Sequence, residues 1–174
     1  GRACRGMVAR ITLQRPVAAP RKSVNTTVAR APVTRAAPQW TRIVLVALAF
    51  PQVVTGLWAV ANPGSWYRSF PGFGPYLIAA EPPYNQHLAT DAGAGFLATG
   101  VMLLVAAAWA DRRLVAAAGL SLTAFAVPHF VYHAANPAPG LTDAQNLTNV
   151  VTLFVGVVLP IAVTAAALRG GKNR

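Results

Sequence analysis

"LVAAAGLSLTAFAVPHFVYHAA" occupies residues 114–135, and its few polar residues gather toward one end, where His129, Tyr132 and His133 follow Pro128. A hydrocarbon core of roughly 30 Å is crossed by about 20 helical residues at 1.5 Å each. The stretch is long enough to cross, and it lacks the apolar–polar alternation of a barrel strand. In lipid every backbone amide and carbonyl must be paired within the protein, which leaves helices and closed barrels as the spanning structures. The stretch therefore reads as a transmembrane helix.

Outward from it, three more runs have the same character: residues 43–61, 88–110 and 147–168. The chain of 174 residues is 55% hydrophobic and only 11% charged, where soluble domains carry about a quarter charged residues. The fold class that follows is all-α, a polytopic membrane protein built as a four-helix bundle over about residues 41–169. The short "DRR" (111–113) makes the second and third runs antiparallel neighbours. Thr142 and Gln145 form a capping box for the fourth run, and Asn85 is placed to cap the second. Small residues crowd the second run; spacings such as Ala89/Gly93 and Ala94/Ala98 let backbones approach closely. Pro51, Pro128 and Pro160 each remove an amide donor within a run.

The net charge of +11 is unevenly spread: residues 1–42 hold nine of the fifteen basic residues and no acid. Rich in Arg, Ala, Pro, Thr and Val but without periodicity, residues 1–40 are expected to be a disordered basic tail. Attraction to anionic lipid is the partner that such a tail implies; it has no aromatic interleaving to suit nucleic acid. Gly1 precedes Met7, so the first six residues read as an upstream extension. Two basic residues also follow the second run and three lie in the C-terminal "RGGKNR" (169–174), whereas the opposite side has only Arg68. The positive-inside rule then places both termini in the cytoplasm of a cell whose plasma membrane holds the bundle. The loop 62–87, with Trp66, Tyr67, Phe70, Phe73, Tyr76 and Tyr84, lies outside and is expected to fold back over the bundle at the headgroup level.

Candidate chemistry collects at that outer end. His87 and Asp91 lie four apart at the start of the second run, and His129 and His133 four apart at the end of the third. Such pairs share a helix face. Asn85, Tyr132, Asn136 and Asn149 supply further polar groups. An intramembrane carboxylate costs up to about 3 kcal/mol near the bilayer centre and calls for a partner. Three readings compete. His129, His133 and Asp91, with His87 as a fourth ligand, would suit a divalent metal such as zinc, iron or manganese. The same groups would bind a quinone or small polar molecule, or, as a weaker variant, a b-type haem between His87 and a histidine of the third run. Alternatively they are hydrogen-bonding fasteners between the second and third runs, as in an accessory subunit that works through membrane-complex partners or as a homo-oligomer. No phosphate-binding loop or nucleophile elbow is present, and Cys4 is the only cysteine.

The blocks "FPGFG" (70–74), "YNQHLATDAG" (84–93) and "PHFVYH" (128–133) resemble those of a group of small four-helix membrane proteins of actinobacteria, loosely allied to DoxX-like membrane proteins. The resemblance covers roughly residues 45–168. It implies a single four-helix bundle and carries no settled activity. Where that group has an acidic residue beside the histidine of the second run, this chain has Gln86. The topology is checked by cysteine labelling: a thiol at residue 140 is expected to react with an impermeant reagent from outside, and reaction only from inside would reverse the orientation.

Overall fold

The computed structural model describes residues 36–169, and the chain is all-helical there. The elements are α1 (Gln39–Ala61), the short α2 (Pro63–Ser69), α3 (Gln86–Trp109), α4 (Arg112–Ala135) and α5 (Asp143–Arg169). α1, α3, α4 and α5 are the four expected runs, each long and apolar enough to cross a membrane. Each starts two to four residues earlier than its apolar run, because the first turn of a helix is made of capping and polar residues. The expected caps are present: the Asn85 side chain accepts from Leu88 N at 3.1 Å, and Thr142 N donates to Gln145 Oε1 at 2.9 Å. Most of the basic tail and the C-terminal residues 170–174 lie outside the described residues.

The side chains are sorted opposite to those of a water-soluble bundle. α1 buries Thr41, Leu45, Ala49, Thr55, Gly56 and Ala59, and exposes Ile43, Val46, Phe50, Val54 and Leu57. α4 likewise buries Ala116, Ala118, Gly119 and Ala126, together with Val115 and Leu122. An interior rich in small residues, with most large apolar side chains outside, is what lipid as a solvent selects, since hydrocarbon gives little reason to hide leucine and close backbone approach gains dispersion contacts.

Glycines set that approach between α1 and α3. A Cβ on Gly56 would come within 2.5 Å of Leu97 N and 2.8 Å of Gly93 O. One on Gly93 would meet Ala59 Cβ at 2.7 Å, and one on Gly100 would meet Val53 N at 3.0 Å. Ala89 and Gly93 thus do pack as their spacing suggested, but Ala94 is exposed and Ala98 faces outward with it. α4 rests mainly on α5, where Gly119 faces Thr164 and the Pro160 carbonyl. The contacts of α3 with α4 and of α1 with α5 are thinner. The second and third runs are therefore neighbours, as expected, yet neither is the other's principal partner.

At one end, Ala36–Pro38 and the α3–α4 connection are tied together. Ala37 N donates to Ala110 O at 2.7 Å and Arg112 Nε to Ala36 O at 3.0 Å. Residues 36–40, inside the stretch read as tail, therefore belong to the fold: Ala36 and Ala37 are bonded to the connection and α1 starts at Gln39. The connection is tighter than three residues, because Asp111 is the N-cap of α4 and accepts from the amides of Arg113 and Leu114. At the other end the aromatic loop packs on α1 and α3: Trp66 is only 5% exposed, and it clusters with Ala59, Ala89, Trp58, Phe70, Ile78 and Phe96. Phe73 and Tyr76 point outward. Gly140 of the second loop touches this loop so closely that a Cβ would meet Ala80 Cα at 2.9 Å. A labelling thiol is therefore better placed at the exposed Pro139 than at residue 140.

Gly56→Ala is expected to destabilise the bundle by about 1–3 kcal/mol through overpacking against the α3 backbone. Gly95→Ala, with nothing within 4 Å of the new methyl, is expected to be neutral or slightly stabilising. Reversible unfolding in mixed micelles would measure both, and equal effects would remove the glycine contact from the account.

Candidate polar site at the loop end

The four residues singled out by spacing separate into two places. On α3, His87 Nε2 lies 3.2 Å from Asp91 Oδ2, with the two side chains 83% and 62% exposed. At 3.6 residues per turn these residues fall on the side of α3 opposite Ala89, Gly93 and Gly100, the residues that face α1. The close-packed glycine face thus turns the pair outward, onto the surface of the bundle. Such an exposed ion pair one turn apart contributes little to stability.

On α4, His129 and His133 have ring centroids 4.8 Å apart and nearly perpendicular planes. The His129 ring stacks on Phe125 at 5.2 Å, and Phe125 receives the edge of Phe96 from α3 at 5.3 Å. Tyr132 sets its ring edge against His133 at 5.4 Å, although the tyrosine itself is more than half exposed. These contacts make an aromatic ladder, Phe96–Phe125–His129–His133, that climbs from α3 to the last turn of α4.

The carboxylate that meets this ladder is Glu81, not Asp91. Glu81 Oε1 lies 3.7 Å from His133 Nδ1, and the two side chains are 31% and 19% exposed. That separation is too long for a hydrogen bond. Oε1 is itself buried and has no hydrogen-bond partner in the structure. Burial of an unpaired carboxylate oxygen is costly, so this atom is where a proton donor or cation would be most favoured. Sequence reasoning passed over Glu81 because it lies in a loop without periodicity. The available signal was that it is the single acid of residues 62–87, on the same side as His133.

Loop architecture holds Glu81 there. Its amide donates to Ile78 O at 3.0 Å, and the preceding Ala80 is buried against Gly140. Gly140 is in turn fixed by Asn146 of α5. The Asn146 side chain accepts from Ala138 N at 2.9 Å and donates to the carbonyls of Ala138 and Leu141 at 3.2 and 3.4 Å. The remaining polar residues serve local structure or stand apart. Asn85 caps α3, and Asn136 donates to Tyr132 O at 2.9 Å, closing the end of α4. Asn149 is half-buried on α5.

The metal set His129, His133 and Asp91 is not assembled: among the described residues no three His, Cys, Asp or Glu side chains gather as metal ligands. The physical reason is the face of α3 just described, which sends Asp91 away from α4. The same geometry deprives a haem of His87 as an axial partner to an α4 histidine. No family model matches the chain, and neither a curated protein nor a solved structure matches it. Function is therefore argued from the site alone.

A double-mutant cycle separates one cluster from two. Glu81→Gln and His133→Gln are expected to be coupled by about 0.5–2 kcal/mol, whereas His87→Gln and His133→Gln should be additive within about 0.5 kcal/mol. Unfolding in mixed micelles is the measurement, and coupling of His87 to His133 would restore the single cluster.

Proposed function

We propose that this chain is a small integral protein of the plasma membrane, with both termini cytoplasmic, that acts as an accessory or binding protein through the polar seam between its aromatic loop and α4. The observation that carries this is the buried Glu81 Oε1, without a hydrogen bond and 3.7 Å from His133. A group left in that state invites a donor from outside the bundle. The seam lies at the end of the bundle that also carries the exposed Phe73, Tyr76 and Tyr132, the side from which a membrane partner or a small polar molecule would approach. Catalysis is not part of the proposal, since the seam has an acid–imidazole pair but no nucleophile beside it.

A second reading is favoured by the aromatic ladder: a flat ring such as a quinone would lie against Phe125 and His129 while its oxygen met the Glu81–His133 pair. The metal reading has lost its Asp91 ligand, and among the described residues no other three-ligand set takes its place.

The deciding experiment purifies untagged wild type and Glu81→Gln/His133→Ala in mild detergent, and measures metal content, extractable small molecules and copurifying membrane proteins together. The proposal expects a protein or organic molecule retained by the wild type and lost from a variant that still elutes as a folded species. Near-stoichiometric metal that disappears in the variant would replace it with the metal reading. Identical preparations from both proteins would remove the seam as a binding site.

A further inference from the structure

At the opposite end of the bundle, an open groove of about 420 Å³ runs between the start of α1 and the end of α3. It is lined by Arg42, Ile43, Val46, Leu104, Ala107 and Ala108. The two alanines form the hollow, and the longer side chains form its walls. Arg42 is the one charged residue in the lining.

Arg42 is held in place. Its Nε donates to Ala107 O at 2.9 Å, one of the last carbonyls of α3, which has no amide ahead of it to bond. This bond fixes the plane of the guanidinium and engages one of its three nitrogens. The other two, on the outer arm of the fork, have the geometry that receives phosphate oxygens in pairs. Among the described residues no carboxylate lies within ion-pair distance of Arg42; the acid–imidazole contacts His87–Asp91 and His133–Glu81 are both at the far end. Two further features raise the positive potential here. α1 begins without a side-chain cap, so the positive end of its dipole is open. Arg112 and the exposed Arg113 open α4 at the same end, which the Ala36–Asp111 bridge ties to the start of α1; the Asp111 carboxylate offsets one of these charges and is engaged in capping α4 through the amides of Arg113 and Leu114.

We propose that this groove is a binding site for one anionic phospholipid, with an acyl chain between α1 and α3 and the phosphate on Arg42. Hydrocarbon is the natural occupant of an apolar groove on a surface that also exposes Ile43 and Val46 to the bilayer, and the unpaired guanidinium selects the charged headgroup. The site is distinct from a diffuse attraction of the N-terminal tail to charged membranes, because it depends on one cation and one hollow. It is independent of the seam at the loop end.

The test uses the full chain, delipidated in detergent and offered dioleoylphosphatidylglycerol or dioleoylphosphatidylcholine, with bound lipid counted by native mass spectrometry. The wild type is expected to retain one phosphatidylglycerol with roughly fivefold preference over phosphatidylcholine, the effect of a single well-placed basic residue. Arg42→Gln should lose the preference, and Arg113→Gln should keep it. Ala108→Phe fills the hollow while leaving the Arg42–Ala107 bond in place, and should release phosphatidylglycerol; it decides the matter if Arg42→Gln fails to fold. Undiminished preference in either Arg42→Gln or Ala108→Phe, absence of preference in the wild type, or an equal loss in Arg113→Gln would overturn the proposal.

Discussion

Helices in lipid gain nothing from hiding hydrocarbon, so what binds α1 to α3 is the closeness their backbones achieve at Gly56, Gly93 and Gly100. That contact governs more than the stability of one helix pair. A helix has a single rotational setting, and α3 spends its glycine face on α1. Everything on the opposite side, His87 and Asp91 included, is then committed to the surface. The glycines also bring Ala59 and Ala89 close enough for Trp66 and Phe70 to fold over them, which lets the aromatic loop cross the top of the pair and deliver Glu81 to α4. One packing choice therefore breaks the apparent histidine cluster and builds its replacement.

The two ends of the bundle are closed by different means. At the loop end, carbonyls and amides of irregular backbone are satisfied by side-chain amides, above all Asn146, which makes three bonds to the 138–141 turn. At the other end, guanidinium groups do this work: Arg42 on Ala107 O and Arg112 on Ala36 O. Both solutions meet the requirement that backbone near the bilayer remain paired. They leave different residues of chemistry behind. Neutral amides closing the loop end leave the Glu81 carboxylate short of donors, while cations closing the other end leave donors short of an acceptor.

Much of this architecture was legible before any coordinates. Four spans follow from length and hydropathy, because lipid permits so few alternatives. The caps at Asn85 and Thr142 follow from local chemistry that does not depend on tertiary packing, and both formed. The close approach through Ala89 and Gly93 was likewise implied by spacing, although the same rule applied to Ala94/Ala98 pointed to a contact that the chain does not make. Spacing identifies which residues share a face; it does not say which face meets a neighbour. That gap accounts for the candidate site. His87/Asp91 and His129/His133 each share a face as expected, but the rotational setting of α3 is decided by α1, a partner distant in sequence. Glu81 and the short α2 lie in a loop whose course depends on aromatic packing and on the Ala80–Gly140 contact, and neither leaves a periodic trace.

The position of Glu81 also bears on how the loop end differs from the helix interior as a setting for polar groups. The interior seams are filled mainly by alanine, glycine, leucine and β-branched side chains, and the hydroxyls beside them are held at helix positions, as Thr123 is bonded to Gly119 O and Thr164 is buried against Gly119 without a partner. Glu81 is carried by a loop that is fastened at Ala80 but not bonded at the carboxylate, and His133 is in the last turn of α4, where the helix backbone is already closed by Asn136. Their 3.7 Å separation brings them close without a hydrogen bond between them. The pair is thus positioned by its scaffold and left unbonded within it.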